Sequence, residues 1–250
     1  MNKPVNSNRR AISLSSIAML GWGGAVATPS HGAMAHAQAQ GQAQGQAQGH
    51  ARGQVPTPTP KDLDSRVKAF LDQRRNTWSQ GVNYWNVRYE DGQALHDLVL
   101  KNGFKRLLEV GTSTGHSAIW LGWAAAKTGG RLTTIEIDPT RHAEALRNFK
   151  MAGVDAYIDA RLANAHDLVK QLPGPWDLVF QDADKAWYLN YWNDLKGKMA
   201  AKGCYAADNV LRPEAQQVTQ FVEAARSDPT FRTRIDDLGS GEGVLLACRD

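Results

Sequence analysis

Cysteine is scarce in this chain, with two residues in 250, Cys204 and Cys248. Two are too few for a disulfide framework or a structural zinc site, so the hydrophobic core must carry the fold. Both fall in strand-like runs near the chain end, where buried free thiols are expected rather than a bridge. No apolar run is long and unbroken enough to span a bilayer, which excludes a stable membrane anchor. Acidic residues are missing from the first 60 positions, which hold Lys3, Arg9, Arg10 and Arg52, so the remaining 25 bases meet 25 acids. The net charge of +4 and pI near 9.1 thus belong to the head. The neutral remainder supplies no argument for a nucleic-acid groove. A chain of 250 residues, 42% of them apolar, holds one globular core and some extra length.

Positions 1–37 run from Asn8-Arg9-Arg10 through AISLSSIAMLGWGGAVAT to small-x-small sites at Ala33-Met34-Ala35 and Ala35-His36-Ala37. Charged, then apolar, then small is the order of an export signal. The paired arginines point to the twin-arginine route; a Sec signal, or a start upstream of a cytosolic enzyme, is the alternative. The predicted location is accordingly exported and periplasmic, or cytoplasmic if the signal is unused. Positions 38–60, QAQGQAQGQAQGHARGQVPTPTP, hold almost nothing that can be buried and read as a flexible linker. His31, His36 and His50 are too dispersed there for a metal-binding run.

From position 61 to 250 the pattern alternates. KDLDSRVKAFLDQRRN and GQALHDLVLKNG read as amphipathic helices. RLLEV (106–110), RLTTIEI (131–137), DARLA (159–163), WDLVFQD (176–182) and GCYAAD (203–208) read as strands separated by helical stretches. Such alternation predicts an α/β fold with right-handed crossovers and a parallel sheet covered on both faces. FRTRIDDLG and GVLLACRD, joined by the SGEG turn, predict a closing antiparallel hairpin. The aromatics of KAWYLNYWNDL serve mainly for packing and partly as pocket wall.

Ligands of open parallel sheets sit beyond the carboxyl ends of the strands. At the first end, LEVGTSTGHS carries Glu109, then Gly111, Thr112 and Gly115 in a turn, then Ser117 opening a helix. The spacing is G-x-x-x-G, so the dinucleotide fingerprint is absent. Glu136 follows 25 residues after Gly111, where an acid can accept both hydrogen bonds of a ribose diol. An ordinary tight turn with a solvated Glu explains the same letters.

The fourth end carries Asp182, Asp184 and Lys185, and the fifth Asp208 and Asn209. Asp182, Asp208 and Asn209 would form an all-oxygen set that suits Mg²⁺, Mn²⁺ or Ca²⁺ and disfavours zinc. A cap at Asp182 or Asp184 and an Asx turn at Asp208-Asn209 are the structural alternatives. Two such pairs at consecutive strand ends favour the metal reading. Lys185 would reach the mouth of that site, where desolvation and a neighbouring cation favour a neutral amine that can act as general base. His96, His116, His142 and His166 show no ligand spacing and read as structural or surface residues.

LEVGTSTGHSAIWL, TTIEIDP, DLVFQDADKAWYLNYW, YAADNVL and GEGVLLACR, in this order, resemble the metal-dependent, S-adenosylmethionine-dependent O-methyltransferases of the catechol and caffeoyl-CoA type. The resemblance implies a class I methyltransferase fold: a Rossmann-like, mostly parallel sheet of seven strands, with one antiparallel strand supplied by the hairpin. It makes Asp182, Asp208 and Asn209 the metal ligands, with Asp182 and Lys185 in the catalytic group. It makes Val87, Glu109, Gly111, Thr112, Ser117, Glu136, Ala165 and Asp184 contacts of S-adenosylmethionine. It implies a homodimer and a small phenolic acceptor with neighbouring hydroxyls.

His116, Trp187 and Ala207 depart from the family's usual Tyr, Asn and Tyr, and the chain lacks the longer insertion of the caffeoyl-CoA branch. A small catechol therefore fits better than a CoA-sized substrate. A methyltransferase for another hydroxyl substrate and an exported binding protein without turnover are the competing expectations, with a nicotinamide dehydrogenase behind them.

Overall fold

The computed structural model describes residues 61–78, 86–211, 213, 215–236 and 242–250. The signal expected at 1–37 and the linker expected at 38–60 lie outside the described residues. Seven strands form one sheet: β1 (Arg106–Val110), β2 (Arg131–Glu136), β3 (Ile158–Leu162), β4 (Trp176–Gln181), β5 (Met199–Ala207), β6 (Phe231–Asp236) and β7 (Val244–Arg249). Their spatial order is β3-β2-β1-β4-β5-β7-β6, and β1 to β5 are mutually parallel. The order reverses between β1 and β4, which opens a crevice where those two strands end.

Helices α1 (Leu63–Trp78), α2 (Tyr89–Asn102), α3 (His116–Thr128) and α4 (Pro139–Ala152) contribute to one core with the sheet. Helices α5 (Ala165–Gln171), α6 (Tyr188–Leu195) and α7 (Gln216–Ser227) contribute to the other. Alternate residues of each strand serve opposite cores. Leu107, Leu178, Phe180 and Ala206 join Ile119 and Phe149, whereas Leu108, Val179 and Tyr205 join Trp192 and Phe221. Burial on both faces is why the central strands read as continuous apolar runs.

The closing hairpin supplies the expected antiparallel strand: β7 inserts between β5 and β6, antiparallel to both. The expected SGEG turn lies partly outside the described residues. That insertion overturns the free-thiol expectation: Cys204 and Cys248 are directly opposed in the β5–β7 ladder, their Cα atoms 4.0 Å apart, and form a disulfide. Two directly opposed residues of an antiparallel pair project to the same face, so the pairing of β7 with β5 brings the sulfurs together. Among the described residues no helix is long and apolar enough to cross a membrane.

Candidate active site

The turn after β1 brings two strand ends together. Gly111 has φ 101°, and a Cβ there would lie 2.2 Å from the backbone oxygen of Asp182. Glycine is needed because β4 leaves the sheet against this turn, in addition to any approach of a ligand. Within the turn Ser113 adopts φ 49° and donates its N–H to Glu136 Oε2 at 2.7 Å. Ile137 and Asp138 N–H groups donate to Oε1 of the same carboxylate at 3.0 and 2.9 Å. Glu136 is thereby fixed at the cavity wall, with lone pairs remaining for hydroxyl donors.

Behind the turn, Glu109 is fully buried in β1 and accepts a hydrogen bond from Thr134 on Oε2. Thr112 pairs with Thr134 in turn, and the Ser117 hydroxyl favours the charged carboxylate. Burial outweighs both hydrogen bonds; with the charges of Asp182 and Glu136 added, the carboxyl is pushed up to about 8. Its Oε1 atom has no hydrogen-bond partner among the described residues. A buried carboxylate oxygen left open suits an ammonium group, which would also restore the ionised form.

Asp182 directly follows β4, and Asp208 and Asn209 directly follow β5. Lys185 Nζ donates to Asp182 Oδ1 at 2.7 Å, Asn209 Oδ1 at 2.6 Å and the Tyr188 hydroxyl at 2.6 Å. One nitrogen touching both Asp182 and Asn209 shows that these oxygens converge. Asn209 holds φ 58°, a left-handed conformation that asparagine tolerates, and donates its N–H to Asp208 Oδ1. Asp208 is 5% exposed; burial first, and the Asp182 charge second, push its carboxyl up to about 8 against the pull of Lys185.

Two crowded carboxylates and an amide oxygen, all hard donors, fit a divalent cation with oxygen preference. The Lys185 ammonium stands in for positive charge at this place. Among the described residues no three His, Cys, Asp or Glu side chains gather at metal-binding spacing, so the set reaches three only through the Asn209 amide.

These groups open on one cavity of about 820 Å³. Of the residues singled out in the sequence, Gly111, Glu136, Ala165, Asp182, Asp184, Lys185, Asp208 and Asn209 line it. Val87, Glu109, Thr112 and Ser117 are buried and do not line it. Asp184 meets both of its readings: Oδ1 caps the 3-10 turn Lys185–Trp187 by accepting from Ala186 N–H, and its side chain lines the cavity.

Sequence reasoning missed Asn86, Ile137, Arg141 and His166 in the wall. Ile137 is 66% exposed, an apolar side chain in water directly after Glu136, and that adjacency could have flagged it. His166, expected to be structural or at the surface, stacks on Trp187 with centroids 4.0 Å apart and pairs with Asp184 at 3.3 Å. His96 and His116 are buried.

The model of the O-methyltransferase family matches residues 63–249. Catechol O-methyltransferase of Niastella koreensis is 38% identical over 148 residues, covering 58% of this chain and 66% of that enzyme. The catechol O-methyltransferase of Mycobacterium tuberculosis is 40% identical over 113 residues, covering 43% of this chain and 49% of that enzyme. The matched stretches thus span less than two thirds of either relative. An O-methyltransferase from Bacillus cereus, solved in complex with SAH, superposes with a TM-score of 0.65 at 25% identity over 76% of this chain and 92% of that one. The family match runs from the first helix to the last strand and takes in both clusters of strand-end residues, so the chain belongs to the O-methyltransferase family.

Proposed function

We propose that this chain transfers a methyl group from S-adenosylmethionine to one hydroxyl of a small catechol-like phenolic, with a divalent cation, magnesium foremost, held by Asp182, Asp208 and Asn209. The observation that carries this reading is that Lys185 Nζ bridges Asp182 and Asn209 in a cavity that Asp208, Gly111 and Glu136 also line. Glu136 would hold the donor's ribose hydroxyls and Glu109 its ammonium group. Ala165 and Asp184, on the wall of the same cavity, would meet the donor's nucleobase end.

The reaction is an in-line displacement. A phenol oxygen forms a bond to the methyl carbon as the carbon–sulfur bond breaks, leaving S-adenosylhomocysteine. A phenol ionises only near pH 10 in water, so the hydroxyl must lose its proton more easily in the site. A bound divalent ion would supply fixed positive charge for that ionisation. Lys185 Nζ stands at the same place and, in its neutral amine form, would take up the proton and hand it on. Holding the oxygen in line with the sulfonium adds the advantage of proximity. The Cys204–Cys248 bridge supports export of the mature chain, because disulfides persist in oxidising compartments.

The test is calorimetric titration of the full chain with S-adenosylmethionine and then a dihydroxyphenyl acceptor, in Mg²⁺ or in excess EDTA. The donor should bind in both media and the diol only with Mg²⁺. Diol binding of equal strength in EDTA, or no binding of the donor, overturns the reading.

A further inference from the structure

His116 opens α3, is 2% exposed, and joins three parts of the molecule. Its Nδ1 lies 2.7 Å from the carbonyl oxygen of Val87, in the strap of residues 86–88 that leads into α2. Its Nε2 accepts the indole N–H of Trp120 at 3.2 Å. An indole nitrogen only donates, so Nε2 must carry the lone pair and Nδ1 the proton. The ring is a neutral imidazole in one tautomer, with one nitrogen anchored and the other holding a backbone carbonyl.

Two further contacts show that this carbonyl is part of a built junction. Asn86, which lines the cavity, donates through Nδ2 to Thr114 Oγ1 at 2.9 Å, and Asn148 holds the Thr114 carbonyl at 2.8 Å. Residues 86 and 87 are thereby tied to the two residues that flank Gly115, the end of the glycine turn. Trp120 is itself locked: the Tyr89 ring meets it edge-on at 5.0 Å, and a Cβ on Gly92 would fall 2.2 Å from its indole. The anchor is rigid because α2 and α3 close around it.

We infer that His116 is a positioning residue for donor binding: it fixes the strap of residues 86–88 against the glycine turn, using Trp120 as its anchor, and so sets the wall of the cavity at Asn86. This rests on the cavity being the site of S-adenosylmethionine. Without the ring nitrogens, the Val87 carbonyl and the Trp120 indole both lose this partner, and the strap loses its tie to the turn through Val87.

The experiment uses the full chain with His116→Phe, which keeps an aromatic ring without nitrogens, and His116→Gln, whose amide can donate and accept. Trp120→Phe, which removes only the anchor, is the third variant. In His116→Phe the dissociation constant and KM for S-adenosylmethionine should rise about tenfold. The kcat at saturating donor and the KM for the acceptor should stay within about twofold. His116→Gln should recover most of the loss and Trp120→Phe should show a smaller rise.

Amide hydrogen exchange over 86–88 should quicken in His116→Phe with no ligand present. If His116→Phe does not fold, Trp120→Phe decides by the same readouts. A His116→Phe or Trp120→Phe variant that folds, matches the wild type in donor affinity and leaves the strap protected overturns the inference alone. A wild type that binds no S-adenosylmethionine overturns the donor reading as well as the inference.

Discussion

Glu109 carries the clearest pH consequence at the scale of the single residue. Its carboxyl is pushed up to about 8 by burial from an ordinary value of 4.5, so the folded, unliganded chain binds this proton more tightly than the unfolded chain does. The associated stability is present below pH 4.5 and is lost as pH rises toward 8. An ammonium delivered to Oε1 favours the ionised carboxylate, so donor binding at pH 7 should release a proton. Calorimetry of S-adenosylmethionine binding in buffers of different ionisation enthalpy should show a buffer-dependent heat, and Glu109→Gln should remove it. Heat independent of buffer in the wild type would show that Glu109 does not meet the ammonium.

Residues of this kind were legible where the chain announces them. Asp182, Asp208 and Glu136 stand where apolar runs stop, and that position points to a site without knowledge of contacts. His166 and His116 were not legible as working parts. The stack of His166 on Trp187 requires α5 to lie beside the turn after β4, and the hold of His116 on Val87 spans 29 residues. Neither relation leaves a spacing in the sequence.

Among the elements, β7 decides most. The strand runs were readable from alternation, and the closing hairpin from its two strand-like runs, but pairing β7 with β5 is a choice of topology that no local pattern encodes. From that choice follows the disulfide, which ties the strand leading to Asp208 and Asn209 to its antiparallel neighbour. The bridge closes a loop with a sequence separation of 44, for which loop-closure entropy predicts about 4 kcal/mol of stabilisation. Reduction should therefore lower Tm by about 10 °C in a domain of this size. Thermal melts with and without reductant, and of Cys204→Ala with Cys248→Ala, check this. A Tm unmoved by reductant in protein first shown to lack free thiols would contradict a stabilising bridge.

At the scale of the whole molecule, a neutral α/β domain gathers Gly111, Glu136, Asp182, Lys185, Asp208 and Asn209 at the carboxyl ends of its strands, around the crevice between β1 and β4. The strand order turns there, and Gly111 lets the two strand ends close to a distance that a side chain would forbid. The central claim is that one hard cation, held by two carboxylates and an amide at neighbouring strand ends, selects and ionises a diol beside the sulfonium donor. The most direct measurement is turnover of the full chain with S-adenosylmethionine and a catechol, read by mass spectrometry in Mg²⁺, in excess EDTA, and with Asp208→Asn. The account predicts one added methyl group in Mg²⁺, at least about a hundredfold less in EDTA and in the variant, and no product from the matching ring with a single hydroxyl. Methyl transfer undiminished in EDTA, or equal transfer to the single hydroxyl, would contradict it.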